Sequence, residues 1–101
     1  MPKDPSLFNN DYEAVAAGQT DQVLGPSGAR GDVLDVLVVT VATALTGTCS
    51  IKDGAGSSIP ITAVSTPIGV YCVKLGARSS AGAWSVTTGA GASALAVGRF
   101  S

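Results

Sequence analysis

The sequence predicts an all-β domain: a small β-sandwich or barrel of jelly-roll or immunoglobulin-like type, with about six to seven strands and an extended N-terminal arm. Three observations carry this. Past Gln22, short runs rich in Val, Ile and Thr recur between clusters of Gly, Ser and Asp. No segment in that region joins helical periodicity to adequate length. The chain has 101 residues, one small domain's worth with a thin core.

Residues 1–21 stand apart from the domain at 22–101. Prolines, asparagines and charges leave only Leu7, Phe8, Tyr12 and Val15 as larger apolar residues there. Those four are candidates for docking on a neighbouring subunit. Asp11 to Ala17 (DYEAVAA) has the composition for one or two helical turns, too few to stand alone.

The first strand is expected at Gln22 to Leu24, followed by Gly25 to Asp32, GPSGARGD. The glycine spacing suggests collagen, but only for three triplets, and a triple helix needs the repeat over many turns. A phosphate loop needs a Lys-Ser/Thr pair and a following helix, and this chain supplies neither. The tripeptide Arg30-Gly31-Asp32 spells an adhesion motif but is three common letters without extracellular context. The stretch reads as a tight connection into the next strand.

That strand, Val33 to Thr43, is apolar at odd and even positions alike. A strand with one wet face alternates, so both faces here must be covered. A two-layer domain has no third layer, which makes Val36 and Val38 candidate interface residues. Asp32 and Asp35 fall on opposite faces by their spacing. After a turn at Thr46-Gly47 come a strand at Thr48 to Lys52, a break at Asp53 to Ser57 and a strand at Ser58 to Ala63. Asp53-Gly54 is a strong hairpin signal. Further strands are expected at Val70 to Leu75, Ala83 to Thr88 and Ala92 to Phe100, separated by Gly76 to Gly82 and Gly89 to Gly91. In the last strand, SALAVGR repeats the two-faced apolar pattern with smaller residues and ends on Arg99, a candidate interface charge. Lys52, Lys74 and Arg78 fit that role or a merely solubilising one.

Composition narrows function. With 46% apolar and 13% charged residues, a net charge of −1 and mean hydropathy of +0.39, little keeps neighbours apart, and a homo-oligomer is expected. Six scattered Lys and Arg make no basic stripe for nucleic acid. The start MPKDPSLFNN lacks the apolar run of a signal peptide. The block Val36 to Ala42 is too short to span a bilayer. Cys49 and Cys72, with no histidine in the chain, cannot build a four-ligand zinc site. Both are expected reduced and buried as small hydrophobes, a disulfide being the alternative. No acid–base pair, nucleophile elbow, metal set or cofactor motif can be assigned, so neither an enzyme nor a cofactor is expected. Trp84 reads as a core anchor. A carbohydrate-binding module using Trp84 or Tyr71 as a stacking platform is the alternative.

Three stretches, read together, carry a resemblance: VLGPSGARGDVLDVLVV, CSIKDGAG and LGARSSAGAWSVTTGAGASALAVGRFS. In order and spacing they resemble small structural proteins of tailed bacteriophages, across residues 22–101. The resemblance implies a virion component made in the host bacterial cytoplasm and located on the capsid surface. Its first implied role is capsid decoration (cement), and a tail, vertex or head-fibre part is the alternative. The implied partners are the major capsid protein and neighbouring copies of the chain, a trimer suiting local three-fold axes.

Overall fold

A computed structural model describes residues 11–25, 27–43, 48–62 and 66–100. Leu7 and Phe8 lie outside the described residues. Eight strands form two four-stranded antiparallel sheets: β1 (Asp11–Val15), β2 (Gln22–Val23), β3 (Val33–Val41), β4 (Cys49–Asp53), β5 (Ile59–Thr62), β6 (Gly69–Arg78), β7 (Trp84–Thr87) and β8 (Ala92–Arg99). No helix occurs among the described residues.

One sheet, sheet A, has the order β1-β8-β3-β6, and the other, sheet B, β2-β7-β4-β5. Four of the pairings are β4·β5, β3·β6, β2·β7 and β1·β8. The chain is therefore one long hairpin, folded back at its middle and rolled until its arms form two layers. That is a jelly roll. The tip of the hairpin is the Asp53-Gly54 turn, where Gly54 has φ +58° and Gly56 N donates to Asp53 O at 3.0 Å.

The core lies between the sheets. Sheet A contributes Val15, Leu34, Leu37, Val39, Val41 and the small residues Ala92, Ala94 and Ala96; sheet B contributes Cys49, Ile51, Trp84 and Val86, joined by Leu24. Trp84 is buried, and its indole Nε1 donates to Asp32 O at 3.1 Å.

Residues 11–21 correct the expected arm and the expected helical turns. DYEAV is an edge strand, because Gly98 to Ala94 of β8 offer it a complete ladder. Val15 sits in the core and is not an interface residue. Glu13 clips this margin shut by accepting from Gln22 Nε2 at 2.8 Å and Gly25 N at 2.7 Å. Thr88 adds to it by donating through Oγ1 to Ala16 O at 2.6 Å.

The loop GPSGARGD is the tight connection its glycines suggested. Gly25, Gly28 and Gly31 all have positive φ. Ser79 ties the loop down, accepting from Gly31 N at its Oγ (2.9 Å) and donating its own N–H to Asp32 O (2.8 Å).

The long strand β3 is broken in register between Leu34 and Val36. Against β8 it carries the extra residue Asp35; against β6 the surplus is on β6, at Leu75-Gly76, where Gly76 has φ +60°. The bulge lets Leu34 and Leu37 share the core face although they are three positions apart, which in a regular strand puts them on opposite faces. It also moves Asp35 out of the simple alternation used to place it opposite Asp32.

Candidate interaction surface

Beyond the bulge, the residues of β3 that turn away from the core are Val36, Val38 and Thr40. The ladders extend them into cross-strand rows. The first runs Tyr12, Val97, Val36, Lys74 and the second Ala14, Leu95, Val38, Cys72. A third joins Ser93, Thr40 and Val70. Seven of the first eight positions are apolar or weakly polar, and among the described residues no layer lies over them. Tyr12 is 74% exposed and Val70 64% exposed; Val36, Val38, Leu95 and Val97 are half-buried.

One end of this face is cationic. The row nearest that end is Arg99, Val33, Arg78, and both arginines are exposed. Neither makes an ion pair among the described residues. Lys74 pairs with Asp35 at 3.0 Å, so the bulge residue neutralises the charge beside the apolar rows.

The outer face of sheet B differs in kind. Its rows are Val23, Ser85, Lys52 and then Thr87, Ser50, Pro60. Lys52 reaches Asp21 at 3.3 Å. Asp21, held at φ +49°, donates its N–H to Thr87 Oγ1 (2.9 Å) and accepts from that hydroxyl (3.1 Å). An open depression of about 420 Å³ lies here, lined by Asp21, Val23, Lys52, Gly54, Ala55, Ala83 and Ser85.

The chain matches no protein-family model, no curated protein and no solved structure.

Of the residues singled out in the sequence, Tyr12, Val36, Val38 and Arg99 come together on the outer face of sheet A. Tyr71 is half-buried, packs against the core and donates its hydroxyl to Pro67 O at 2.8 Å. The cysteines separate. Cys49 is buried, where its Sγ accepts from Gly89 N at 3.4 Å, but Cys72 is exposed and corrects the expectation that both are core residues. Its position on the outward side of β6 accounts for that. Pattern reading alone did not reveal Tyr12, Ala14, Leu95 and Val97 as neighbours of Val36 and Val38. Two-sided apolarity in Ser93 to Arg99 was the available signal, but only the register converts it into rows.

Asp53, at the end of β4, holds a loop instead of a ligand. Its carboxylate accepts from Ser80 N (2.9 and 3.1 Å), Ala81 N (3.0 Å) and Ser80 Oγ (3.1 Å). The Ser80 and Ala81 amides hold its pKa below the ordinary 3.8 because they stabilise the ionised form. Among the described residues, no cluster of three or more His, Cys, Asp or Glu is placed to hold a metal ion.

Proposed function

We propose that this chain is a structural protein of a tailed-bacteriophage virion, a decoration (cement) protein that binds and stabilises the assembled head. Its partners are the major capsid protein and neighbouring copies of itself. It is made in the host cytoplasm and resides on the capsid surface, and its role requires no reaction and no cofactor. The observation that carries the reading is the apolar outer face of sheet A, a surface that a two-layer domain cannot cover by itself. The resemblance of residues 22–101 to small phage structural proteins supplies the setting.

A cement protein needs a rigid body, neutral contact faces and a segment that crosses to a neighbour. Weak contacts repeated over a lattice retain each copy through effective concentration. Preference for assembled over disassembled shell stabilises the shell by mass action. Jelly rolls occur both in viral capsid proteins and in lectins, so the fold discriminates neither from the other. The carbohydrate alternative is weakened by the burial of Trp84 and the packing of Tyr71.

Quantitative mass spectrometry of purified virions tests the proposal. The expected result is a copy number comparable with that of the major shell protein. A few copies per particle would move the chain to the tail, a vertex or a head fibre, and its absence from virions would refute the reading. Deleting residues 1–10 is expected to lower occupancy on purified capsids, while unchanged occupancy would remove Leu7 and Phe8 from the contact.

A further inference from the structure

We infer that the outer face of sheet A is the seat of a two-fold homodimer, two copies packed face to face with their strands antiparallel. This names the self-contact left open by the virion proposal, and it stands or falls independently of where the protein resides.

Size is the first argument. Four strands about 4.8 Å apart, over the nine residues of β3, give about 500 Å² of flat face on each copy. Two copies thus remove about 1,000 Å² before side-chain relief is added, the lower bound for a specific interface. The centre of the face is Val36, Val38, Leu95 and Val97, and its rim is Tyr12, Lys74, Ser93 and Thr40. An apolar centre with a polar rim is the anatomy of such contacts.

Edges supply the second argument, because strand addition is the competing mode of association. Of the four edge strands, β1, β2, β5 and β6, three are blunted. β2 is two residues long, β5 is four long and carries Pro60, and β6 carries Lys74 and the Gly76 bulge. These are the devices that discourage edge pairing. The face carries no comparable device: the one acid beside it, Asp35, neutralises Lys74.

Charge selects the symmetry. A two-fold axis parallel to the strands would lay the Arg99–Val33–Arg78 row of one copy on the same row of the other and stack four guanidiniums. An in-plane axis perpendicular to the strands, between the Tyr12 and Ala14 rows, sends those cationic rows to opposite ends. Each then lies over the neutral Ser93–Thr40–Val70 row of the partner. Val36 meets Val38, and Val97 meets Leu95. Strand β6 then lies over β6. With the sheets about 10 Å apart and the residues offset by one row, the two Cys72 Cα atoms come to about 12 Å.

Sedimentation equilibrium of the full chain, across micromolar to submillimolar concentration, is the test. The expected mass is twice 9.9 kDa. A bismaleimide of matching span is expected to join two chains through Cys72, leaving the buried Cys49 unmodified. Val36→Asp is expected to weaken association at least tenfold, whereas Lys52→Glu, on the opposite sheet, leaves it unchanged. Circular dichroism and the near-ultraviolet signal of Trp84 report whether the Asp variant is folded. The crosslink is made on the unaltered chain, so it decides even if that variant unfolds. A monomer or a trimer throughout the range overturns the inference. So does a dimer that Cys72 cannot bridge, or one that persists in folded Val36→Asp protein. Dimer formation by a protein absent from virions would leave the inference standing and remove the decoration reading. A virion-bound monomer would do the reverse.

Discussion

Replacing Gly54 with alanine attacks the tip of the hairpin from which the whole roll is built. Two costs add. At φ +58° a β-carbon meets the following carbonyl, about 1–2 kcal/mol for an L-residue in the left-handed region. The added carbon would also stand 2.6 Å from both Ala81 C and Gly82 N. Those are backbone atoms of the loop whose amides bind Asp53, so they cannot swing aside as a side-chain end would. Displacing packed atoms of this kind adds about 1–2 kcal/mol, the lower part of the usual overpacking cost, and disturbs the amides that bind Asp53. The expected loss is about 2–4 kcal/mol, which for a chain of this size lowers Tm by roughly 10–25 °C. Gly18→Ala is the matched control: its φ is +75° and nothing lies within 4 Å of the added carbon, so only the backbone cost of about 1–2 kcal/mol remains. Urea denaturation of both variants measures the difference. Equal losses would refute the steric contact between the hairpin tip and the 80–82 loop.

Two other predictions concern side chains. Asp53 has a folded pKa below 3.8, so its contribution to stability is present above that value and is lost as pH falls through the folded pKa. Asp53→Asn should therefore be less stable than the parent at neutral pH, with the gap closing on acidification below about pH 4; a gap constant down to pH 2 would contradict the loop-holding role. For the cysteines, one thiol per chain should react with a water-soluble disulfide reagent in native buffer and two in denaturant, because Cys72 is exposed and Cys49 buried. Two fast native thiols would contradict the placement of Cys49.

The parts of the fold legible in the sequence were those that local chemistry decides. Asp-Gly needs a left-handed glycine wherever it lies, and Val33 onward is a strand by composition alone. The first strand was not legible. Asp11 to Val15 contains only Tyr12, Ala14 and Val15 as apolar residues, and its strand character comes from the ladder that Ala94 to Gly98 presents to it. Here tertiary pairing overrides a weak helical tendency. The bulge at Asp35 was equally hidden, since its signal is shared between Asp35 and Gly76, forty-one positions along the chain and paired only in the sheet. Simple alternation would put Leu34 on the same face as Val36 and Val38, whereas the bulge turns Leu34 into the core.

The interaction surface is a product of the rolling itself. Its eight central positions come in pairs from four segments: Tyr12 and Ala14, Val36 and Val38, Cys72 and Lys74, Leu95 and Val97. Two apolar residues spaced by one are unremarkable in any strand, and only the segments at 33–43 and, with smaller residues, 93–99 are apolar on both faces. The hairpin pairs β1 with β8 and β3 with β6, and the contact of β3 with β8 then closes the four segments into one sheet. Sheet B is made from the alternate pairs of the same hairpin, β2 with β7 and β4 with β5 at its tip, yet its outward positions include Ser50, Lys52, Ser85 and Thr87. Solubility alone would favour polar residues on both outer faces. That only one is polar, while three of the four sheet edges are blunted by proline, brevity and a bulge, favours association through a single face over strand addition.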